Sequence, residues 1–268
     1  MIFDTHAHYD DEAFDQDREE LISSLPAAGI RAVVNVGASL ESTRKTLALS
    51  HCYSIFYAAL GVHPNECADL KEEDMDWLKL QAKDPKAVAI GEIGLDYHWD
   101  EPGETVQKKW FSRQLELAAQ LKLPVVIHSR DAAKDTLDVM KGERAEEIGG
   151  VIHCFSYGKE MAREYLNMGF YLGIGGVATF QNGKKLKEVI QYAPMDRLVL
   201  ETDCPYLAPV PYRGKRNSSL NLPLVIDAVA QIKHLEKEKV EQIAWENSLR
   251  LYGLQTKDIL QGSSLEME

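Results

Sequence analysis

The chain has 268 residues and a net charge of −12, and 45% of its residues are hydrophobic and 27% charged. These proportions are ordinary for a globular protein, and the length suits a single large domain such as an α/β barrel. The negative charge argues against broad, non-specific binding to nucleic acid, which relies on dispersed Lys and Arg, but it does not exclude a local phosphate site.

The cysteines and the N-terminal residues bear on the compartment. Cys52, Cys67, Cys154 and Cys204 are scattered without a C-x-x-C pair. This spacing argues against a disulfide framework or a thiolate zinc site and fits a reducing cytoplasm. No signal peptide is predicted, and no apolar run is long enough to cross a membrane. We therefore expect a cytoplasmic protein that does not contact a membrane and has no obligate protein partner.

Short apolar runs alternate along the chain with longer amphipathic stretches. The predicted strands are, in order, Ile2–His6, Ala32–Val36, Ile55–Leu60, Ala87–Ile90, Val125–His128, Val151–His153, Tyr171–Ile174 and Leu198–Glu201. The predicted helices include Asp17–Ala28, Val106–Leu121, Lys184–Tyr192, Leu222–Ile232 and Glu238–Tyr252. Strict alternation predicts an α/β fold with a parallel sheet, and eight repeats predict a single (β/α)8 TIM barrel. We expect the barrel to span residues 1–261 and the aperiodic residues 262–268 to form a flexible tail.

Ionisable residues follow six of the eight apolar runs directly. They are His6 and His8, His63, Glu92, His128, His153 and Asp203. The C-terminal ends of barrel strands form one rim, and active sites lie there. The sequence therefore predicts an active site at this rim, built from residues far apart in the chain.

The pair His6-Ala-His8 is the clearest sign of a metal site. Residues two apart in a strand point to the same side, so both imidazoles should face one point. His128 and His153 would add two imidazoles from neighbouring strands. Burying four such rings without a metal would be costly, because their nitrogens would be hard to satisfy by hydrogen bonds alone. A single buried His, in contrast, is most often a hydrogen-bonded core residue.

Two carboxylates extend this predicted centre. The glycines and apolar residues around Glu92 indicate an interior position, where its two oxygens could bridge two cations. Asp203 follows the eighth run and would lie where it can take a proton from an activated water.

Arginines near the predicted rim are candidates for binding a phosphate. Arg130 lies two residues past His128, and Arg213 lies in the long loop 205–216 after the last strand. A guanidinium can grip phosphate oxygens with two hydrogen bonds. The same loop could equally be a rigid solvated connection, and the sequence leaves both interpretations open.

Taken together, the motifs resemble those of the TatD family of metal-dependent deoxyribonucleases, within the amidohydrolase-like superfamily. The matching stretches are 3–8 (FDTHAH), 61–64 (GVHP), 91–97 (GEIGLDY), 128–130 (HSR), 153–156 (HCFS), 201–206 (ETDCPY), 211–217 (PYRGKRN) and 246–247 (EN). The resemblance covers nearly the whole chain, from residue 2 to about residue 254.

This resemblance implies a centre with two divalent metal ions, which could be Mg²⁺, Mn²⁺ or Zn²⁺. By family analogy, one ion would be held by His6, His8 and Asp203, and the other by His128 and His153, with Glu92 bridging. His63 would contact the scissile phosphate or carry a proton. Arg130, Tyr206 and Arg213 resemble the residues that contact the substrate phosphate.

The chain departs from the family pattern after Asn217, where Ser218-Ser219 stand in place of the usual Glu-Pro. Gln181 stands where a Lys is common, and Tyr157 replaces a frequent Gly. None of these positions belongs to the six predicted ligands, so metal binding should be kept, while substrate preference could differ.

The resulting hypothesis is hydrolysis of DNA phosphodiester bonds by a 3'-5' exonuclease that trims single-stranded ends, with Asp203, Glu92 and His63 as catalytic residues. The main alternative is a metal-dependent amidase, deacylase or small-molecule hydrolase on the same barrel. A binding protein without catalysis is a third reading, and a complete ligand set argues against it.

Overall fold

A computed structural model describes residues 1–259, in which eight parallel strands follow one another around the sheet in chain order. The strands are β1 Ile2–Ala7, β2 Ile30–Val36, β3 Phe56–Leu60, β4 Ala87–Asp96, β5 Val125–Arg130, β6 Gly150–Ile152, β7 Tyr171–Ile174 and β8 Leu198–Leu200. The α-helices are α1 Arg18–Ser24, α2 Leu40–Cys52, α3 Glu72–Gln81, α4 Glu104–Leu121, α5 Ala133–Gly142, α6 Lys159–Asn167, α7 Lys184–Tyr192, α8 Leu222–Lys233 and α9 Lys237–Tyr252. The predicted α/β barrel is thereby confirmed.

The barrel closes between β8 and β1. The N–H of Asp203 donates to the carbonyl of His6 at 2.9 Å, and the N–H of His8 donates to the carbonyl of Cys204 at 2.8 Å. These bonds lie just beyond β8, so closure takes place at the level of the predicted site. Residues that are almost 200 positions apart are thus fixed side by side.

Two apolar clusters hold the fold together. One contains buried residues from all eight strands and otherwise only residues of α9 and of the segment after it, so it lies inside the barrel. Trp245 and Tyr252 of α9 close the lower end of the barrel, where the strands begin. Their rings lie 5.8 and 5.9 Å from the ring of Phe3. The other cluster packs the outer faces of the strands against the helices. The lower end is therefore filled by aromatic rings, and the opposite rim is left for polar side chains.

Several predicted boundaries are wrong in a way that matters for the site. β4 continues six residues beyond the predicted end at Ile90, and β5 continues to Arg130. Glu92 therefore lies within a strand and not after it, and His128 lies inside β5 and not at its last residue. The predicted helix 17–28 is also split, because Pro26 begins a separate 3₁₀ turn after α1 ends at Ser24. The predicted tail, residues 262–268, lies outside the described residues.

Irregular pairing occurs where the strands carry predicted ligands. The register shifts between Asp4 and Ala7 of β1 and between Ile90 and Ile93 of β4. Such bulges re-aim side chains and are frequent next to active sites. Gly91 makes the second one possible, because a Cβ there would lie 2.5 Å from the Cβ of Val126.

The cysteines and the helices give two further observations. Cys52, Cys67, Cys154 and Cys204 are all free thiols. Within residues 1–259, every helix is too short or too polar to cross a bilayer.

Candidate metal centre

The six predicted metal ligands lie together at the C-terminal rim of the barrel. They come from β1, β4 and β5 and from the residues after β1, β6 and β8, and they are His6, His8, Glu92, His128, His153 and Asp203. Each is buried or mostly buried. The strand ends thus gather four imidazoles and two carboxylates at one point.

Glu92 occupies the middle of this group. Its Oε1 lies 2.9 Å from Nδ1 of His128 and 2.7 Å from Nε2 of His153. Its Oε2 faces the other way and lies 3.5 and 3.7 Å from the Nε2 atoms of His6 and His8. Burial favours the neutral acid, but the imidazoles around it hold the pKa of Glu92 well below its usual range. The side chain is therefore an anion with one oxygen toward each pair of histidines.

Asp203 completes the side that contains His6 and His8. Its Oδ1 lies 3.6 Å from Nε2 of His6 and 3.5 Å from Nε2 of His8. Three donor atoms of these residues lie within 4.8 Å of one another, as a metal site requires. These are the three residues that the family resemblance assigned to the first ion.

Hydrogen bonds show which nitrogen of each ring faces the centre. Nδ1 of His8 lies 2.8 Å from the carbonyl oxygen of Val36, so it carries a proton, and in the neutral ring the lone pair is on Nε2. Nε2 of His128 lies 3.1 Å from Oδ2 of Asp96, so its Nδ1 faces Glu92. Metal-binding histidines are usually oriented in this way by a bond at the other nitrogen.

The donor atoms fit divalent cations. The Nε2 atoms of His6 and His8 lie only 3.0 Å apart, and two imidazole lone pairs at this distance repel unless a positive charge lies between or beside them. Although burial opposes it, the carboxylates of Asp203 and Glu92 raise the pKa of His8 to about 9. The centre thus attracts positive charge, which a bound metal would supply in place of protons. Imidazole and carboxylate ligands suit Zn²⁺ and Mn²⁺, and the carboxylates also suit Mg²⁺.

His63 differs from the six ligands in its hydrogen bonding. Its Nδ1 accepts from the N–H of Asn65 at 3.1 Å, so the neutral ring carries its proton on Nε2. That atom lies 3.7 Å from Oε1 of Glu92, and burial, helped by His128, lowers the pKa of His63 to about 3. The ring is consequently neutral and can donate a hydrogen bond at the edge of the centre, as a contact to a phosphate would require. A nitrogen of His63 also lies close enough to Glu92 and His128 to take part in holding a metal.

The three other predicted substrate contacts are exposed. Arg130 ends β5, and Tyr206 packs its ring edge-on at 6.5 Å from that of His8 while its hydroxyl donates to Asp11. Arg213 lies in the loop after β8 with its guanidinium 4.5 Å from the ring centre of Phe180. Tyr206 is therefore adjacent to the centre, and Arg213 is held in the loop after β8 by an aromatic ring.

Two further carboxylates lie at the centre and are not among the predicted site residues. Asp96 is 2% exposed and accepts the hydrogen bond from His128, which outweighs burial and lowers the pKa of Asp96 to about 2. Glu201 is fully buried beside His153, and burial raises its pKa to about 8. The sequence signal that could have found them is their even spacing from predicted ligands, since residues an even number apart in a strand point to the same face. Asp96 follows Glu92 by four residues, and Glu201 precedes Asp203 by two.

The departure at Ser218-Ser219 has a structural role. Ser219 is fully buried at the start of a short 3₁₀ helix, and its hydroxyl donates to Oδ2 of Asp4 at 2.7 Å. The hydroxyl of Tyr9 donates to Ser219 Oγ at 2.9 Å, while the Ser219 N–H donates to Tyr9. Thr202 binds the same oxygen of Asp4. A proline at 219 could supply neither the hydroxyl nor the N–H, so this chain connects β1 to the entry of α8 by its own hydrogen bonds.

Comparisons with known proteins match the whole barrel. A family model described as TatD related DNase matches residues 3–253. The chain is 44% identical to an uncharacterized metal-dependent hydrolase, YabD, of Bacillus subtilis (strain 168), with 94% of this chain and 99% of the relative covered. It is 36% identical to a 3'-5' ssDNA/RNA exonuclease TatD of Cronobacter turicensis, with 94% and 97% covered.

A solved structure agrees with these sequence matches. The crystal structure of YJJV, a TatD homolog from Escherichia coli K12, superimposes with a TM-score of 0.89 at 28% identity, and the match covers 95% of this chain and 98% of that one. The sequence matches and the shared fold thus point to one group of proteins.

Proposed function

Because the chain belongs to the TatD family of metal-dependent hydrolases, we propose that it hydrolyses phosphodiester bonds of DNA, as a 3'-5' exonuclease acting on single-stranded ends. The observation that supports this most is the position of Glu92, whose two oxygens face different pairs of histidines. A carboxylate placed in this way suits two cations side by side, and paired cations are the usual means of phosphodiester cleavage. The Cronobacter relative with its exonuclease name agrees with this substrate.

The proposed ligands divide into two groups. His6, His8 and Asp203 would hold one ion and His128 and His153 the other, with Glu92 between them. When bound, the ions would lower the pKa of water and stabilise charge on the phosphoryl oxygens. Their number and identity, Mg²⁺, Mn²⁺ or Zn²⁺, belong to the proposal.

The protein's own groups would handle the proton and the phosphate. Although burial opposes it, the hydrogen bond with His8 and the nearby imidazoles lower the pKa of Asp203, so it is ionised and able to accept a proton. The Nε2–H of His63 would donate to a phosphate oxygen. Arg130 and Arg213 would offset the charge that develops on the phosphate, and Tyr206 would contact the substrate beside them.

The net charge of the chain bears on the form of DNA that we propose as substrate. A chain with a charge of −12 gains little from long-range attraction to a polyanion. Binding would then depend on contacts at the rim itself, which suits a single-stranded end that can enter the site. We keep the cytoplasm as the proposed location because the cysteines are free thiols.

The test uses metal-stripped protein and single-stranded DNA labelled at one end. Mg²⁺, Mn²⁺ or Zn²⁺ is added back separately, and mononucleotide release is followed over time. We expect release from the 3' end with at least one metal and at least a 100-fold lower rate in Asp203→Asn. If no metal restores DNA cleavage while an amide or ester from a small panel is hydrolysed, the nuclease proposal is wrong and the alternative hydrolase takes its place.

A further inference from the structure

Three polar atoms near the metal centre have no hydrogen-bond partner among the described residues, although all are buried. They are Nδ1 of His6, Nδ1 of His153 and Oε2 of Glu201. Each residue offers a donor atom within 4.8 Å of the other two. Buried polar atoms are normally paired, so three unpaired atoms in one place point to a shared function.

The two rings are oriented toward Glu201 by their role at the centre. Nε2 of His6 and Nε2 of His153 both face Glu92, at 3.5 and 2.7 Å. The rings stack with centroids 4.0 Å apart and planes 11° from parallel. Their Nδ1 atoms therefore lie on the side away from Glu92, and Nδ1 of His153 is 3.8 Å from Oε1 of Glu201.

The strands on either side make room for this carboxylate. A Cβ at Gly173 of β7 would lie 2.2 Å from Oε2 of Glu201, so no larger residue fits there without displacing it. The backbone N–H of Cys154, next to His153, donates to Oε1. Glu201 is thus held behind the histidines by the backbones of two segments, in a place where it cannot reach solvent.

We infer that Glu201 is a positioning residue that accepts the Nδ1–H groups of His6 and His153, directly or through one water molecule. By holding the proton on Nδ1, it keeps the lone pair of each ring on Nε2, toward the metal centre. Asp96 serves His128 and the carbonyl of Val36 serves His8 in the same way. All four imidazoles would then have their tautomer set from behind.

This inference rests on the metal centre of the proposed function but not on the substrate. Its readouts are the metal affinity of the stripped protein and the protonation of histidine nitrogens, and neither requires DNA cleavage. A protein that binds metal through these residues and cleaves another bond would overturn the nuclease proposal alone. If the protein cleaves DNA but replacing Glu201 leaves its metal affinity unchanged, this inference alone would be overturned.

The first experiment compares Glu201→Gln with the wild-type protein by Zn²⁺ competition against a chromophoric chelator. Gln keeps the volume of Glu, but with its amide oxygen on the N–H of Cys154 its NH₂ group faces the histidines and can only donate, so we expect Zn²⁺ affinity to fall about 10- to 100-fold. The matched control is Ser248→Ala, which removes a fully buried side-chain hydrogen bond in α9, away from the rim. The control should keep wild-type affinity even if its melting temperature falls as much. An affinity of Glu201→Gln within twofold of wild type would overturn the inference.

The second experiment does not depend on a variant that folds. Metal-stripped wild-type protein carrying ¹⁵N-labelled histidine is studied by NMR, where protonated and unprotonated ring nitrogens have well separated shifts. We expect Nδ1 of His153 to be protonated in both the stripped and the Zn²⁺-loaded protein. A neutral His153 ring with its proton on Nε2 in the stripped protein would show that Glu201 does not set the tautomer.

Discussion

Replacing Asp96 by Asn should weaken the metal centre mainly through His128. In the wild-type protein Oδ2 of Asp96 accepts from Nε2 of His128 at 3.1 Å, while Oδ1 accepts from the N–H of His98 at 2.9 Å. In the variant, the amide oxygen keeps the bond from His98, and the NH₂ group faces His128. That NH₂ can only donate, so His128 would have to accept at Nε2 and carry its proton on Nδ1.

The consequence falls on Glu92, whose Oε1 lies 2.9 Å from that Nδ1. The lone pair of His128 that faced the centre is replaced by an N–H, so His128 can no longer bind a metal. It regains the lone pair only if the ring changes tautomer and gives up its new hydrogen bond with the amide. Loss of an orienting partner of this kind weakens metal binding about 10- to 100-fold, or about 1.4 to 2.8 kcal/mol. Asp96→Asn should therefore bind Zn²⁺ about 10- to 100-fold more weakly.

The assay is competition for Zn²⁺ with a chelator of known affinity, at one pH and one salt concentration. A matched control is Asp135→Asn, which changes a more exposed carboxylate on α5 that binds Tyr97 and Lys108 but none of the six ligands. The control should keep wild-type affinity. If Asp96→Asn binds Zn²⁺ as tightly as wild type, the orientation of His128 by Asp96 is unnecessary and the reasoning from tautomers fails.

Three other changes test separate parts of the structure. Ser219→Ala removes a buried hydrogen bond to the carboxylate of Asp4, so the free energy of unfolding should fall by about 1 to 3 kcal/mol, measured by urea denaturation; an unchanged midpoint would contradict the role of this network. Arg130→Ala should lower kcat/KM on single-stranded DNA about 10- to 100-fold, because a charge-assisted hydrogen bond to the phosphate is lost. The control is Arg144→Ala, which lies before β6 at the other end of the barrel and should leave kcat/KM unchanged. Equal effects of the two changes would refute the phosphate contact. Metal binding should tighten between pH 6 and pH 8, because the pKa of His8 is raised to about 9 and its proton must leave when a metal binds. Calorimetry in buffers of different ionisation enthalpy measures the number of protons released. If no proton is released, the metal does not displace a proton from His8.

The sequence was sufficient for the architecture. Alternating apolar runs and amphipathic stretches predicted the eight strands, and strand β7 and helix α7 begin and end at the predicted residues. The His6-Ala-His8 spacing predicted two rings aimed at one point, and their Nε2 atoms lie 3.0 Å apart. These features follow from local periodicity, which is written in neighbouring residues and needs no knowledge of distant ones.

The sequence also predicted which polar side chains would meet at the rim, because the rim of a parallel barrel brings strand ends together whatever their separation in the chain. It did not predict how β4 would continue through Glu92 to Asp96, since the glycines in that stretch resemble the end of a strand. Those glycines are needed for close contact with β5, as the backbone of His128 would lie 1.9 Å from a Cβ at Gly94.

Which residue lies behind which predicted ligand was decided by the tertiary structure. Nothing in the local sequence of Glu201 shows that it will lie behind His153, 48 residues earlier, in space left by Gly173. The same holds for Ser219, which reaches Asp4 only because the barrel closes between β8 and β1. Sequence periodicity determines which face of a strand a residue occupies, whereas the tautomer of a histidine and the charge of a carboxylate depend on atoms that only the closed barrel brings within hydrogen-bonding distance.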